Sequence, residues 1–274
     1  MLDDRLRMVA YGVLGSMADA EDVVQEARLK LHQSKSAVRS EEAFLYRVVS
    51  NLSIDRYRYE KRRRHLYDGP WLPEPISSED MDKVELAQEL SIGLLHVLEH
   101  LSPSERIVFV LREAFGWTHT EVAETLGISP ASARQRASRA KHRLASTDYR
   151  PRLPSSEERV LLDSLMAVVA EGDAAGLISM MTDDVVMYTD GGGVVSAAIR
   201  PVYEAERIST VTLFLVQKSE AEGELDWSYE SINGSTALVV RQFGKIHSVI
   251  FVTGEAGLVS RFYIMRNPHK LTRL

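Results

Sequence analysis

The chain has no cysteine among its 274 residues. This excludes disulfides and thiolate chemistry and removes the ligand that most structural zinc sites depend on. It also lacks any apolar run near the roughly 18–20 residues needed to span a bilayer, and its first residues do not form a secretory signal pattern. A cytoplasmic protein is expected, with no membrane partner, no metal and no cofactor. Aromatic residues are few, at 7%, while 45% hydrophobic and 26% charged residues are those of an ordinary globular chain. The length suggests two domains with room for a small third.

A net charge of −6 argues against a nucleic-acid partner until its distribution is considered. Acidic residues gather in 19–26 and 79–89. Residues 56–65, RYRYEKRRRH, hold six Arg or Lys against one Glu. Between Ser129 and Leu144 there is no acidic residue and there are five basic ones. Local field governs binding, so segregated charge outweighs the sum.

The acid-free stretch belongs to residues 117–145, WTHTEVAETLGISPASARQRASRAKHRLA. Thr118 and Glu121 have capping-box spacing and open a helix, with Val122, Ala123 and Leu126 on its apolar side and Gly127 as its stop. Ser129 as N-cap and Pro130 at the first helical position start a second helix. At about 100° per residue, Ala133, Ala137, Ala140 and Leu144 form one stripe roughly 80° wide. Arg134, Gln135, Ser138, Arg139 and His142 lie opposite, flanked by Arg136, Lys141 and Arg143. A solvated helix ordinarily mixes charge signs. A single-sign face with Arg and Gln suits phosphates and the acceptor edges of bases, and a helix-turn-helix lays its second helix in the major groove.

Upstream, residues 3–65 read as helical. LRMVAYGVLG ends near Gly15. DAEDVVQEARLKLHQ follows with Asp19 as N-cap, Val23, Ala27 and Leu31 on one face, and Glu21, Asp22, Gln25 and Glu26 on the other. Residues 33–40 form a polar loop. Ser40 caps a long helix whose buried stripe is Leu45, Val48, Val49 and Leu52 and whose outer face carries Asn51, Asp55, Arg58 and Arg62.

DAEDVVQE, LYRVVSNLSIDRYRYEKRRR and LSPSERIVFVLREAFGWTHTEVAETLGISPASARQRASRAKHRL together resemble regions 2 and 4 of bacterial extracytoplasmic-function sigma factors of the sigma-70 family, over about the first 146 residues. The resemblance implies region 2 over 1–65, a linker over 66–90 and region 4 over 91–146. It implies two partners, core RNA polymerase and promoter DNA. Glu21, Asp22, Gln25 and Glu26 would dock on the polymerase clamp helices. The 33–40 loop with Asn51, Asp55 and Arg58 would contact the melted −10 strand, where bases leave the stack. Arg62 and Arg63, with Arg64, would hold phosphates. Phe44, Tyr46, Tyr57 and Tyr59 are candidate stacking groups, with plain packing as the competing reading for Phe44. Arg134, Gln135, Ser138 and Arg139 would read the −35 duplex, while Arg112, Thr120 and Lys141 would touch its backbone.

The linker LYDGPWLPEPISSEDMDKVELAQEL has three prolines and Trp71, and reads as stiff and extended rather than flexible. Its WLPEP (Trp71, Leu72, Pro73, Glu74, Pro75) resembles the sigma-factor subgroup that carries a SnoaL-like C-terminal domain. DMDKVELAQELSIGLLHVLEHL reads as a helix with Leu86, Leu90, Leu94 and Leu98 at helical spacing.

Beyond a second Pro-containing break at 147–156 the character changes. SSEERVLLDSLMAVVAEGDAAGLISMMTDD reads as two helices broken at Gly172, VVMYTDGGG as a strand and turn, and RPVYEAERISTVTLFLVQ as a helix. Four strands follow, with Asn-Gly, Gly and Gly-Glu-Ala-Gly at the turns. Helices followed by a curved antiparallel sheet suggest an α+β cone over 154–274, resembling the SnoaL-like, nuclear-transport-factor-like fold. Two of the expected modules are thus all-α and the third is α+β. Asp190, Gly191, Gly192 and Gly193, with Asn267, Pro268, Lys270 and Leu271, match the subgroup's C-terminal motifs, although His269 stands where that subgroup commonly has Asp.

Cone folds can enclose an apolar pocket, so a small ligand there is an open expectation. Asp190, with His247 or Tyr188, is the best acid/base candidate, but Asp-Gly is also an ordinary turn pair. No catalytic residue is assigned. The C-terminal domain is read as regulatory, acting through the linker. Two alternatives stand: a ligand-sensing helix-turn-helix regulator, and a small ketosteroid-isomerase-like enzyme fused to a DNA-binding module.

Overall fold

The computed structural model describes residues 2–34, 40–77, 90–147, 149 and 153–274, apart from the side chain of His65. Most of the 33–40 loop, the start of the helix expected from residue 80 and part of the 147–156 break lie outside the described residues. The chain forms two compact units. The first takes residues 2–66 and most of 94–149, so the two all-α modules form one unit. The second takes 67–77, 91–93 and the C-terminal part, and so includes the described stretch of the expected linker.

In the first unit, α1 (Leu2–Leu14), α2 (Met17–Gln33) and α3 (Glu41–Arg63) pack around Leu6, Val9, Val24, Leu45 and Val49. Helix α1 stops at Gly15, in the left-handed region at φ 68°. The N-cap of α2 is Ser16, not Asp19: its hydroxyl accepts from the Asp19 N–H at 3.3 Å. Asp19 sits a turn inside and pairs with Arg56 at 2.9 Å. Ser40 caps α3 as its position predicts, while Val48 and Leu52 are only half-buried.

A short helix α4 (Ile92–Val97) runs into a 3₁₀ turn at Leu98–His100. Helix α5 (Pro103–Phe109) opens with the Ser102–Glu105 capping box and continues into a π-helical turn over Val110–Ala114. Helices α6 (His119–Leu126) and α7 (Pro130–Ala145) follow, joined through Gly127 at φ 65°. Caps, turn and boundaries of α6 and α7 are those the residues dictate, whereas Leu90 and Ser91, expected inside one long helix with Leu94 and Leu98, are not helical.

The second unit holds α8 (Ser155–Glu171), α9 (Ala174–Ser179), α10 (Ala205–Glu222) and a six-stranded sheet in the order β2-β1-β6-β5-β4-β3. The strands are β1 (Met181–Asp190), β2 (Val202–Tyr203), β3 (Leu225–Ile232), β4 (Ser235–Gln242), β5 (Lys245–Glu255) and β6 (Leu258–Met265). Residues 181–184, expected to end a helix, instead begin β1. Val202 and Tyr203, expected in a helix, form the edge strand β2. The sheet is mixed, not antiparallel: β1 and β6, its second and third strands, pair in parallel. Hairpin turns at Asn233-Gly234, Phe243-Gly244 and Ala256-Gly257 have both residues at positive φ, which matches the strands' right-handed twist.

Both faces of this sheet are apolar. Leu238, Val252, Val259 and Phe262 face the helices, while Val239, Val249, Phe251, Tyr263 and Met265 face the other way. A sheet covered on one side only would leave that second set in water. Residues 67–77 and the C-terminal tail supply the cover, with Leu72, Ile92 and Leu271 in the same cluster.

Candidate nucleic-acid interface and linker site

Helix α7 buries Ala133, Ala137, Ala140 and Leu144 against α5 and α6, and small side chains permit that close packing. Arg134, Gln135, Ser138 and Arg139 are exposed on the opposite side. Arg139 and Arg143 lie 3.7 and 3.9 Å from Glu105, and Lys141 lies 3.0 Å from Glu113. Thr120 is exposed in the first turn of α6. Arg112 is half-buried and donates to the Trp117 carbonyl, bracing the segment that leads into α6. His119, which the residue pattern did not single out, joins this basic rim. Partial burial, followed by the positive charges of Arg112 and Arg134, pulls its imidazole pKa below the ordinary value.

On α3, Asn51, Asp55, Arg58, Arg62 and Arg63 are all exposed. Asp55 and Arg58 pair with each other at 3.0 Å, Arg62 donates to the Arg58 carbonyl, and Arg63 lies 3.8 Å from Glu60. Two of the candidate stacking groups are not available to a strand. Tyr46 is buried edge-on to Trp117, with centroids 4.8 Å apart, and Tyr57 is 0% exposed. Tyr59 is exposed beneath Arg63, and Phe44 is half-buried. On α2, Asp22, Gln25 and Glu26 are exposed and Glu21 partly so. Asp22 lies 3.1 Å from Arg56, and Glu26 lies 2.9 Å from Lys30.

Tyr57 belongs to a buried charged network that joins α3 to the helices after it. Arg106, 0% exposed, donates to Glu99, to the Tyr57 hydroxyl at 3.3 Å and to the Gly12 carbonyl at 3.1 Å. Arg64 donates to the other Glu99 oxygen and to the Leu14 carbonyl, and Lys61 donates to the Glu99 carbonyl at 2.7 Å. Burial pushes the Glu99 carboxyl up, but the charges of Arg106 and Arg64 outweigh it and hold the pKa at about 2. Gly12 is required where α1 meets the α5 side, because a Cβ there would come within 2.8 Å of Val110.

In the second unit the chemistry centres on Asp190, at the end of β1 and 0% exposed. One of its oxygens accepts from the Tyr67 hydroxyl at 2.5 Å and the Gly192 N–H at 3.0 Å. The other accepts from the Leu72 N–H at 2.9 Å and from Lys270 at 2.8 Å. Lys270 also donates to the Leu72 carbonyl at 2.5 Å, and its ammonium lies 4.1 Å from the Trp71 ring centroid. Asn267 donates to the Tyr67 hydroxyl at 2.9 Å, while its own oxygen accepts from the His269 N–H at 3.0 Å.

Glu74 pairs with Arg273 at 3.2 Å. Ile76 and Asn233 exchange hydrogen bonds at 2.9 and 3.0 Å, and Ser77 bridges to Ile232. Within WLPEP, Leu72 is 1% exposed, whereas Trp71 is half-buried. Pro73 and Pro75 are buried beside it, and Pro268 is exposed.

The glycines after Asp190 are steric requirements. A Cβ on Gly192, at φ 64°, would lie 2.3 Å from Asn267, and one on Gly193, at φ 70°, would lie 2.8 Å from Asp68. Sequence reasoning placed Asp190, Lys270, Asn267 and WLPEP in one hypothesis but missed Tyr67, Asn233 and Arg273. Runs such as ALVV and SVIFV, which do not alternate, were the available signal for a sheet covered on both faces. Asp190 and His247 have different partners: His247 sits 2.9 Å from Arg266. Tyr188 stacks on Tyr263.

Comparison with known proteins agrees with this layout. Residues 2–63 match the model of sigma-70 region 2, and residues 91–144 match that of sigma-70 region 4. The chain is 36% identical to the ECF RNA polymerase sigma factor SigJ of Mycobacterium tuberculosis over 226 residues, which is 79% of this chain and 72% of that one. It is 26% identical to a probable ECF sigma factor, SigI, of the same organism, over 97% of this chain and 91% of the relative. The crystal structure of M. tuberculosis SigJ superposes with a TM-score of 0.78 at 30% identity, covering 99% of this chain and 96% of that one.

Proposed function

The chain belongs to the extracytoplasmic-function RNA polymerase sigma factors, and from that premise we propose that it binds core polymerase and selects and opens promoters through three surfaces. The acidic face of α2 (Glu21, Asp22, Gln25, Glu26) docks on polymerase. The α3 face (Asn51, Asp55, Arg58, Arg62, Arg63) meets the melted −10 strand. Helix α7 reads the −35 duplex through Arg134, Gln135, Ser138 and Arg139, while Arg112, Thr120 and Lys141 take the backbone. In this reading region 2 spans 1–65, the linker 66–90, region 4 91–146 and the regulatory domain 154–274. The protein acts in the cytoplasm, and no helix among the described residues is long and apolar enough to cross a membrane.

The observation that carries this reading is the acid-free face of α7, exposed opposite a stripe of buried alanines. An ordinary duplex-binding regulator would need no acidic α2 face and no basic, strand-facing α3. Run-off transcription with purified core polymerase tests it. Start-site selection by the full chain is expected, and tight duplex binding without selection would favour the regulator instead.

The C-terminal domain is read as a regulator that works by gripping the linker. In its support, both oxygens of Asp190, the carboxyl a pocket enzyme would use, are engaged by the linker, Lys270 and Gly192. Since residues 67–77 connect the two promoter-binding modules in sequence, gripping or releasing them biases the spread that polymerase binding requires.

A further inference from the structure

The face of the sheet opposite the linker, with α8, α9 and α10, encloses a cavity of about 390 Å³. That size falls within the roughly 300–1,000 Å³ of small-molecule sites. Its walls are apolar over most of their extent, including Leu162, Leu165, Leu215, Phe262 and Ile264, with Trp227 also lining it. Two basic side chains border the same space: Arg266, just past the end of β6, and His247 on β5.

Neither has its hydrogen-bonding capacity filled. Arg266 spends Nη1 on the Ser196 carbonyl at 2.5 Å and Nη2 on His247 Nε2 at 2.9 Å, while its buried Nε–H has no acceptor. With Nε2 accepting, the neutral imidazole carries its proton on Nδ1, which is likewise buried without a partner. Among the described residues no carboxylate lies within ion-pair distance of Arg266, and exposed Glu222 acts on it only through space. Burial draws the Arg266 guanidinium below its ordinary pKa, and burial with the Arg266 charge does the same to His247. An apolar cavity bordered by a cation that has no ion-pair partner among the described residues is complementary to one kind of molecule.

We propose that this cavity binds an amphiphile with an apolar body and a single carboxylate, the carboxylate received by Arg266 and His247 and the body lying among the leucines and Phe262. The head would sit next to the linker seat, since the Arg266 N–H donates to the Asp190 carbonyl at 2.8 Å and the following residue, Asn267, holds Tyr67. Any effect of occupancy on transcription rests on the regulatory reading above; binding itself does not.

The test therefore uses the full chain without polymerase or DNA, and titrates it by calorimetry below the ligands' aggregation limits. Decanoate and 4-phenylbutanoate distinguish a chain from a ring, acetate lacks the body, and 1-decanol lacks the charge. Saturable binding of decanoate or 4-phenylbutanoate is expected, roughly 10- to 100-fold tighter than 1-decanol, as a charge-assisted hydrogen bond would give. Acetate should not bind measurably. R266Q should bring the carboxylate down to the level of the alcohol, while leucine-to-tryptophan filling by L215W should abolish both. Where R266Q does not fold, H247F with the decanoate-to-decanol ratio serves instead, and that ratio should fall. Equal binding of acid and alcohol, no saturable binding by either acid, or a ratio unchanged in the folded variant would overturn the proposal.

Discussion

Asp190 accepts the backbone N–H of Leu72 at 2.9 Å, across 118 positions of sequence. A linker amide thus ends on a buried carboxylate that Lys270 neutralises. Replacing Asp190 with Ala strands that ammonium and removes the acceptor for three other donors. A loss of about 3–5 kcal/mol from the C-terminal unit is expected, the usual cost of breaking a buried pair. Urea unfolding measures it, and hydrogen exchange at Leu72 should accelerate in the same variant. A slow, unchanged Leu72 amide would contradict the proposed grip.

Leu72 and Trp71 should differ in a telling direction. Leu72→Ala opens a hole in a packed cluster and should cost about 2–5 kcal/mol. Trp71→Ala removes a half-exposed ring under the Lys270 ammonium and should cost about 0.5–2 kcal/mol. Thermal denaturation of the two variants ranks them, and the reverse order would mean the aromatic ring is the anchor after all.

The Glu99 network makes the first unit sensitive to acid. Its folded-state pKa is about 2 against an ordinary 4.5, so the carboxylate's contribution is present above 4.5 and is lost as pH falls from there towards 2. Unfolding of wild type and Glu99→Gln should therefore differ most near neutrality and converge on acidification. A gap that stays constant with pH would show that Arg106 and Arg64 do not depend on this charge.

For the DNA-reading helix, Arg134→Ala or Arg139→Ala should cost about 1–3 kcal/mol on the cognate promoter and little on a scrambled one. Lys141→Ala should weaken both alike and reduce the slope of log affinity against log salt by about 1. Parallel binding titrations at several salt concentrations check this. Equal losses for all three variants would reject the division between readers and phosphate contacts.

The helical half was nearly all legible in the sequence because its signals are local. Ser40, Ser102, Thr118, Ser129 and Gly127 act within one turn, and the structure puts each where its chemistry requires. Asp19 misled because aspartate is as good a cap as serine. Ser16 holds the position, which leaves Asp19 for Arg56.

What escaped was long-range. Tyr57 looks like a stacking residue in a basic run, and only its meeting with Arg106, 49 positions away, makes it core. The same holds for the parallel pairing of β1 with β6 and for Asn233 meeting Ile76, neither of which leaves a mark within a window of sequence. Arg266, just past β6, carries no signal in the sequence, and His247, weighed there only as an acid/base helper, gains its other role from the cavity that both border.

The β1–β6 ladder sets an order of events at the ribosome. This parallel pair cannot close until Met265 has emerged, and Lys270 follows later still. At about 5–20 residues per second, both helical modules leave the exit tunnel several seconds before that seat exists. Each newborn molecule thus passes through an interval in which its linker has nothing to hold it.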